Sequence, residues 1–176
     1  NVIKMYLDKL VLKDKPEKTK DVATKSTESG GYKDFKFGMS PNDIDALKVC
    51  EFIFPSKVET MFIGSNCYKV AGKKRGFVFN YSMPSSWTKL MSQGKLNLVI
   101  IDFGEGDPSF WGVLKKSLEK KYKLEFKLTL QQIMINDGND IVFYEGGRIA
   151  LQKWGTAIGI KYTEKPMEEY LKFKPN

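Results

Sequence analysis

The sequence predicts an α+β fold: antiparallel sheet with helices packed on one face. Three observations predict it. Phe77-Val78-Phe79-Asn80-Tyr81 and Ile158-Gly159-Ile160-Lys161-Tyr162 alternate with the period of two that a strand imposes. Only tight turns separate the later alternating segments, namely Asp137-Gly138-Asn139-Asp140, Gly146-Gly147 and Gly155-Thr156. Two turns, Gly38-Met39-Ser40-Pro41 and Gly104-Glu105-Gly106-Asp107-Pro108, set a capping residue and a proline ahead of an amphipathic stretch. Because those two turns read alike, with prolines 67 residues apart, the finer expectation is a tandem strand-helix-meander repeat. Its boundaries divide the chain into 1–31, an amphipathic segment and tether; 32–100, a first strand-helix-hairpin unit; and 101–176, a second strand-helix-meander unit. The last two form one compact body.

Taken in order, Val2, Ile3, Tyr6, Leu7 and Leu10 fall at helical spacing. From Lys13 to Gly31 only Val22 and Ala23 interrupt the polar residues, a composition that cannot repay ordering. Such a tether suits a membrane- or lipid-anchored protein whose anchor precedes Asn1, although a boundary inside any flexible tail looks the same. The body opens at Tyr32 with Phe35 and Phe37 on a short strand. Ser40, Pro41 and Asp43 then make a capping box for a helix over 41–50 that presents Ile44, Leu47 and Cys50. Strands are expected over 57–63, 67–71, 77–81 and 96–103. Asp107 and Pro108 start a helix to Tyr122, with Trp111, Leu114, Leu118 and Tyr122 on one stripe and Lys116, Glu119 and Lys120 outside. A meander follows: 124–131, where Leu124, Phe126, Leu128 and Leu130 alternate with polar residues, then 141–145, 148–154 and 157–162. Pro166 opens a last helical turn through Tyr170.

Composition excludes several classes. With 41% apolar and 28% charged residues the chain is neither disordered nor a disulfide scaffold, and about 70% of the unfolded surface can be buried at this mass. Histidine is absent, which removes Ser-His-Asp, Cys-His and His-metal chemistry. The formal net charge is +8, yet Arg75 and Arg148 are the only arginines among 29 cations. Lysine lacks the planar fork that reads guanine, so a nucleic-acid partner is not expected, whereas an acidic partner or anionic lipid surface fits. Cys50 and Cys67 match no metal or redox spacing; they either pair as one disulfide or stay as two buried thiols.

Several short fragments match known motifs only in part. Lys73 to Tyr81 looks like the aromatic strand of an RNA-recognition motif with Met61 to Gly64 as its companion, but Phe62 and Arg75 are too close to admit the helix that fold needs. Asp102-Phe103-Gly104 spells the kinase metal tripeptide without the other kinase loops. Asp102, Glu105 and Asp107 lack the pattern of a calcium loop, so no metal is expected. Ser86-Trp87-Thr88-Lys89 matches S-x-x-K on far too small a scaffold, and neither cysteine has a histidine base. No cofactor and no catalytic residue is expected.

The meander offers a surface instead. If Ile149, Leu151, Ile158, Ile160 and Tyr162 face the helix, alternation sends Arg148, Gln152, Trp154 and Lys161 to the other side, joined by Lys127, Thr129 and Gln131. Trp and Arg dominate contact energies at interfaces, so this face is the candidate site for a protein partner.

Phe35-Lys36-Phe37-Gly38-Met39-Ser40-Pro41-Asn42-Asp43-Ile44 resembles the strand-G-M-[ST]-x-x-[DE]-[VI] opening shared by the BamE (SmpA/OmlA) lipoproteins and relatives of the β-lactamase inhibitor protein. The resemblance implies a small envelope domain with a helix packed on an antiparallel sheet, a unit that occurs twice in the inhibitor protein. It implies location in the periplasm or on the outer face of an envelope membrane, with a non-enzymatic binding role. No binding residue carries over, because the match lies in a structural turn. Two rivals accompany that expectation: an immunity-type protein or inhibitor that neutralises a toxin or enzyme, and a hydrolase whose site the sequence does not reveal.

Overall fold

A computed structural model of the chain describes residues 30–58, 60–84, 87–106 and 108–176. The segment 2–11, all but the end of the tether, and the capping role of Asp107 lie outside the described residues. Gly31 already belongs to the first strand, one residue ahead of the expected start.

The first strands, β1 (Gly31–Tyr32) and β2 (Phe35–Lys36), form a minimal hairpin. Helix α1 (Pro41–Ala46) begins with the expected capping box: the Asp43 amide donates to Ser40 Oγ at 3.2 Å and the Ser40 amide donates to Asp43 Oδ2 at 2.8 Å. It stops at Ala46 rather than at Cys50, because Lys48 takes a left-handed φ of 51° and turns the chain away. The chain then forms β3 (Phe52–Pro55) and β4 (Met61–Ser65), so the strand expected over 57–63 is displaced and β3 was missed. A small hairpin, β5 (Lys69–Val70) with β6 (Lys73–Lys74), precedes β7 (Gly76–Ser82). A short helix, α2 (Leu90–Gln93), leads into β8 (Lys95–Glu105), the longest strand. Helix α3 (Pro108–Glu119) buries Leu114 and Leu118 from the expected stripe.

The strand expected over 124–131 is only half a strand. After β9 (Leu124–Lys127), Thr129 caps a helix, α4 (Leu130–Ile135), by accepting from the Gln132 amide while Gln132 Oε1 accepts from the Thr129 amide. The T-x-x-Q capping box outweighs the alternation of Leu128 and Leu130. Strands β10 (Asp140–Tyr144), β11 (Ile149–Trp154) and β12 (Ala157–Thr163) follow the expected meander, and the last helix, α5 (Glu168–Phe173), starts two residues beyond Pro166.

Eight strands make one antiparallel sheet in the order β3-β4-β7-β8-β12-β11-β10-β9. β8 and β12, each the last sheet strand after a proline-opened helix, lie side by side at its centre. The boundary expected between 100 and 101 falls inside β8, which pairs with β7 on one side and β12 on the other.

One row of side chains crosses all eight strands on the inner face: Ile53, Gly64, Phe77, Ile101, Ile160, Leu151, Val142 and Lys127. This face meets α1, α2, α3 and the β1-β2 hairpin in the main core, where Tyr32 and Phe35 pack against Phe77. Cys50 and Cys67 are joined by a disulfide that closes the open end of the β3-β4 hairpin, and their sulfurs lie where a side chain at Gly64 would have to stand. Closing a loop of this separation, 17 residues, stabilises by about 3 kcal/mol.

Helices are not confined to that face. On the outer side α4 and α5 cover a second cluster of Leu128, Ile141, Phe143, Ala150, Met167 and Phe173. Tyr170 of α5 sits directly on Gly147, which has a φ of 78° and no room for a side chain.

Candidate protein-binding face

Alternation along each strand fixes a second row on the outer face: Phe54, Ile63, Val78, Ile100, Lys161, Ala150, Phe143 and Phe126. Ala150 and Phe143 are fully buried in the second cluster, and Phe126 stacks on Tyr170. Phe54, Ile63, Val78 and Ile100 belong to neither core cluster. Ile44, Leu90, Leu114, Leu118 and Phe173, buried on the described α-helices, all belong to those two clusters. Phe54, Ile63 and Ile100 keep part of their surface in solvent, Val78 between them is 6% exposed, and Phe52 on the edge strand is 63% exposed. A polar chain borders the strip, with Thr60 Oγ1 bonded to Asn80 Oδ1 at 2.6 Å and Asn80 Nδ2 donating to Asn97 Oδ1 at 3.0 Å.

Lys161 marks where the two halves of the row meet. Its ammonium lies 5.3 Å from the centre of the Trp154 ring. The indole in turn lies over Gly159, where a Cβ would come within 2.7 Å of it, so the glycine makes room for the tryptophan. Burial pushes the Lys161 pKa down, and Glu169 on α5 opposes that shift only from a distance. Asp102, on the neighbouring strand β8 opposite Gly159, has its pKa raised by burial; its Oδ1 accepts from the Gly104 amide at 2.7 Å, and the Arg75 charge pulls the other way. Arg75 is itself held over the rings of Phe103 and Phe110, at 5.0 and 5.8 Å, and donates to the Val70 carbonyl.

The residues named from sequence are therefore partly dispersed. Trp154 and Lys161 come together on the outer face as expected. Gln152 points to that face too, but it is 3% exposed rather than solvated, and its Oε1 has no hydrogen-bond partner. Arg148 stands in the turn before β11, exposed, with Nε donating to the Glu145 carbonyl at 3.3 Å. Lys127 lies opposite Val142 and so belongs to the helix-covered inner side, exposed only because β9 is an edge. Thr129 and Gln131 sit at the start of α4 and not on the sheet. One omission explains these shifts: half of the expected solvated face is the floor of the second core.

The apolar strip itself was missed, although the sequence holds a signal for it. Phe77-Val78-Phe79 and Leu98-Val99-Ile100-Ile101 are apolar without alternation, the mark of strands buried on both sides.

One further arrangement bears on chemistry. A shallow depression of about 490 Å³ is lined by Ser40, Asp43, Ser82, Ser92, Gln93 and Lys95 among others. The Asp43 carboxylate is engaged there by the Ser40 amide and hydroxyl, which hold its pKa below the usual carboxylate range. Among the described residues no three Cys, Asp or Glu side chains gather to hold a metal ion, and no helix is long and apolar enough to cross a membrane. No protein-family model, curated protein or solved structure matches the chain.

Proposed function

We propose that the chain is a non-enzymatic protein-binding domain of the bacterial envelope that works through an exposed part of its sheet face. One observation carries this reading: Ile63 and Ile100 in the outer row are apolar and part-exposed and Phe52 on the edge strand is 63% exposed, while the continuation of the row from Ala150 to Phe126 is roofed by helices of the same chain. Apolar surface left open in this way marks an interaction site. The Cys50–Cys67 disulfide supports an oxidising compartment such as the periplasm. The strand order, in which each proline-opened helix leads to four consecutive strands of the main sheet running from one edge to the centre, supports a tandem repeat of one strand-helix-meander unit. That architecture agrees with the resemblance to the BamE and β-lactamase inhibitor protein families.

A photo-crosslinking amino acid tests the reading. Placed at Phe52 or Ile100 it should yield one defined protein adduct in cells, while at Leu171, exposed on α5, it should not. Equal adducts from all three positions, or none from Phe52 and Ile100, would reject the open face as the binding site.

A further inference from the structure

The roof over the second core has an outer side of its own. Helix α4 buries none of its residues fully, although Ile133 packs in part against the cluster beneath it. Leu130 is 83% exposed, Met134 80% and Ile135 56%. At 3.6 residues per turn these three fall within about 140° of arc, so one side of the helix carries them. Single apolar side chains are ordinary at a surface, but three this exposed on one helix of six residues form a patch. No charged residue lies between Lys127 and Asp137, in a chain where 28% of residues are charged.

The cations stand at the rim. Gln132 Nε2 donates to the Phe173 carbonyl at 3.3 Å, which brings the end of α5 against α4. Lys172 and Lys174, on either side of Phe173, are exposed, as is Lys127 two residues before the Thr129 cap. Against them stand Asp137, exposed beyond the helix end, and Asp140, whose carboxyl already feels Lys127 and Lys153. Positive charge therefore prevails around α4, and the whole chain adds a net +8.

The residue types select the occupant. Protein hot spots are built from Trp, Tyr and Arg, and a stable protein interface engages roughly 20 residues a side. Three aliphatic side chains supply neither. They suit hydrocarbon, and the compact charge of lysine suits headgroup phosphates.

We infer that α4 seats on an anionic lipid surface, with Leu130, Met134 and Ile135 entering the acyl boundary and Lys127, Lys172 and Lys174 meeting headgroup phosphates. Neither half suffices alone, because a weak apolar anchor holds a membrane only when a basic patch adds to it.

The test is sedimentation of the intact protein with vesicles of phosphatidylcholine containing one-third phosphatidylglycerol, against vesicles of phosphatidylcholine alone. Partition onto the anionic vesicles should be at least tenfold the stronger. Leu130→Ser combined with Met134→Ser should lower it at least tenfold, as should Lys172→Glu combined with Lys174→Glu. Val113→Ser, which removes a half-exposed apolar group from α3 on the other face of the sheet, should leave it unchanged. Leu130 and Met134 stand mostly in solvent, so these variants should keep the fold, which circular dichroism checks. Leu130→Trp adds a gain of signal: its emission should move to the blue on the anionic vesicles. No binding of the full chain to those vesicles, or binding that ignores the Leu130 and Met134 changes, would overturn the proposal. So would a dimer in sedimentation velocity that the same double variant dissociates, because α4 would then belong to a second copy. None of these results bears on cross-linking at Phe52 and Ile100, so the protein-binding reading stands or falls separately.

Discussion

The two halves of the sheet use the same alternation to opposite ends. In β9 to β12 the outer face is finished within the chain: Phe143, Ala150 and Ile141 lie under α4 and α5, and Phe126, Phe143 and Tyr170 pack ring against ring. In β3, β4, β7 and β8 the same row continues through residues just as apolar that belong to neither core cluster, with Ile63 and Ile100 part-exposed. The covering pieces of the second half are short insertions, one at Leu130–Ile135 and one after the last strand. The outer row thus joins a core where the chain adds a few residues as a roof.

If the halves share one inner core, alkali should melt them together, the largest effect expected. Burial raises the pKa of Tyr81 in the first half and of Tyr144 and Tyr162 in the second above the ordinary value of about 10. Since the folded chain holds these protons longer than the unfolded chain, stability is fully present below pH ~10 and is lost as pH rises through the folded-state values. Near-ultraviolet circular dichroism and tryptophan fluorescence should report one coincident transition beginning above pH ~10. Two separated transitions would break the picture of a shared core.

A paired truncation sharpens the contrast on the outer side. Phe143→Ala removes a fully buried ring from the roofed half and should cost about 3–5 kcal/mol in urea unfolding. Ile100→Ala, in the same row on the open half, should cost well under half of that, because its side chain already meets solvent. Equal costs would mean that the open strip is covered in the folded chain.

Smallest is the expected effect of Lys161→Met on the protein alone. Removing a half-buried, unpaired ammonium should leave stability unchanged or raise it by about 1 kcal/mol. A clear loss would indicate that Lys161 supports the fold and is not held ready for a partner.

How much of this could be read from sequence depends on the range of the signal. Local chemistry was legible: the Ser40–Asp43 box, Pro108 at the head of α3, and the three strands after Asn139 follow from residues within one turn of each other. Misread places are those where two local signals compete, as at Leu128-Thr129-Leu130, where a strand-like alternation overlaps a helix cap. The strand Phe52–Pro55 escaped because its partner, Met61–Ser65, begins later than the apolar run around it suggested. Face assignment failed for a different reason. Alternation places Gln152 and Trp154 on one side of β11, but whether that side is wet depends on α5, which is built from residues far along the chain. Lys127 went to the wrong side because the pairing of Phe126 with Phe143 reverses the register assumed for β9.

The edge hairpin β3-β4 is held shut by Cys50 and Cys67, and its outer strand is only four residues long and ends in Pro55. Short strands and prolines blunt an edge against stray pairing, but the exposed Phe52 makes this one adhesive. Made where thiols stay reduced, the chain would lose that clasp and offer neighbouring molecules a greasy ribbon to add onto. Insoluble material from a reducing cytoplasm, and soluble material from an export route, would then reflect the state of a single bond.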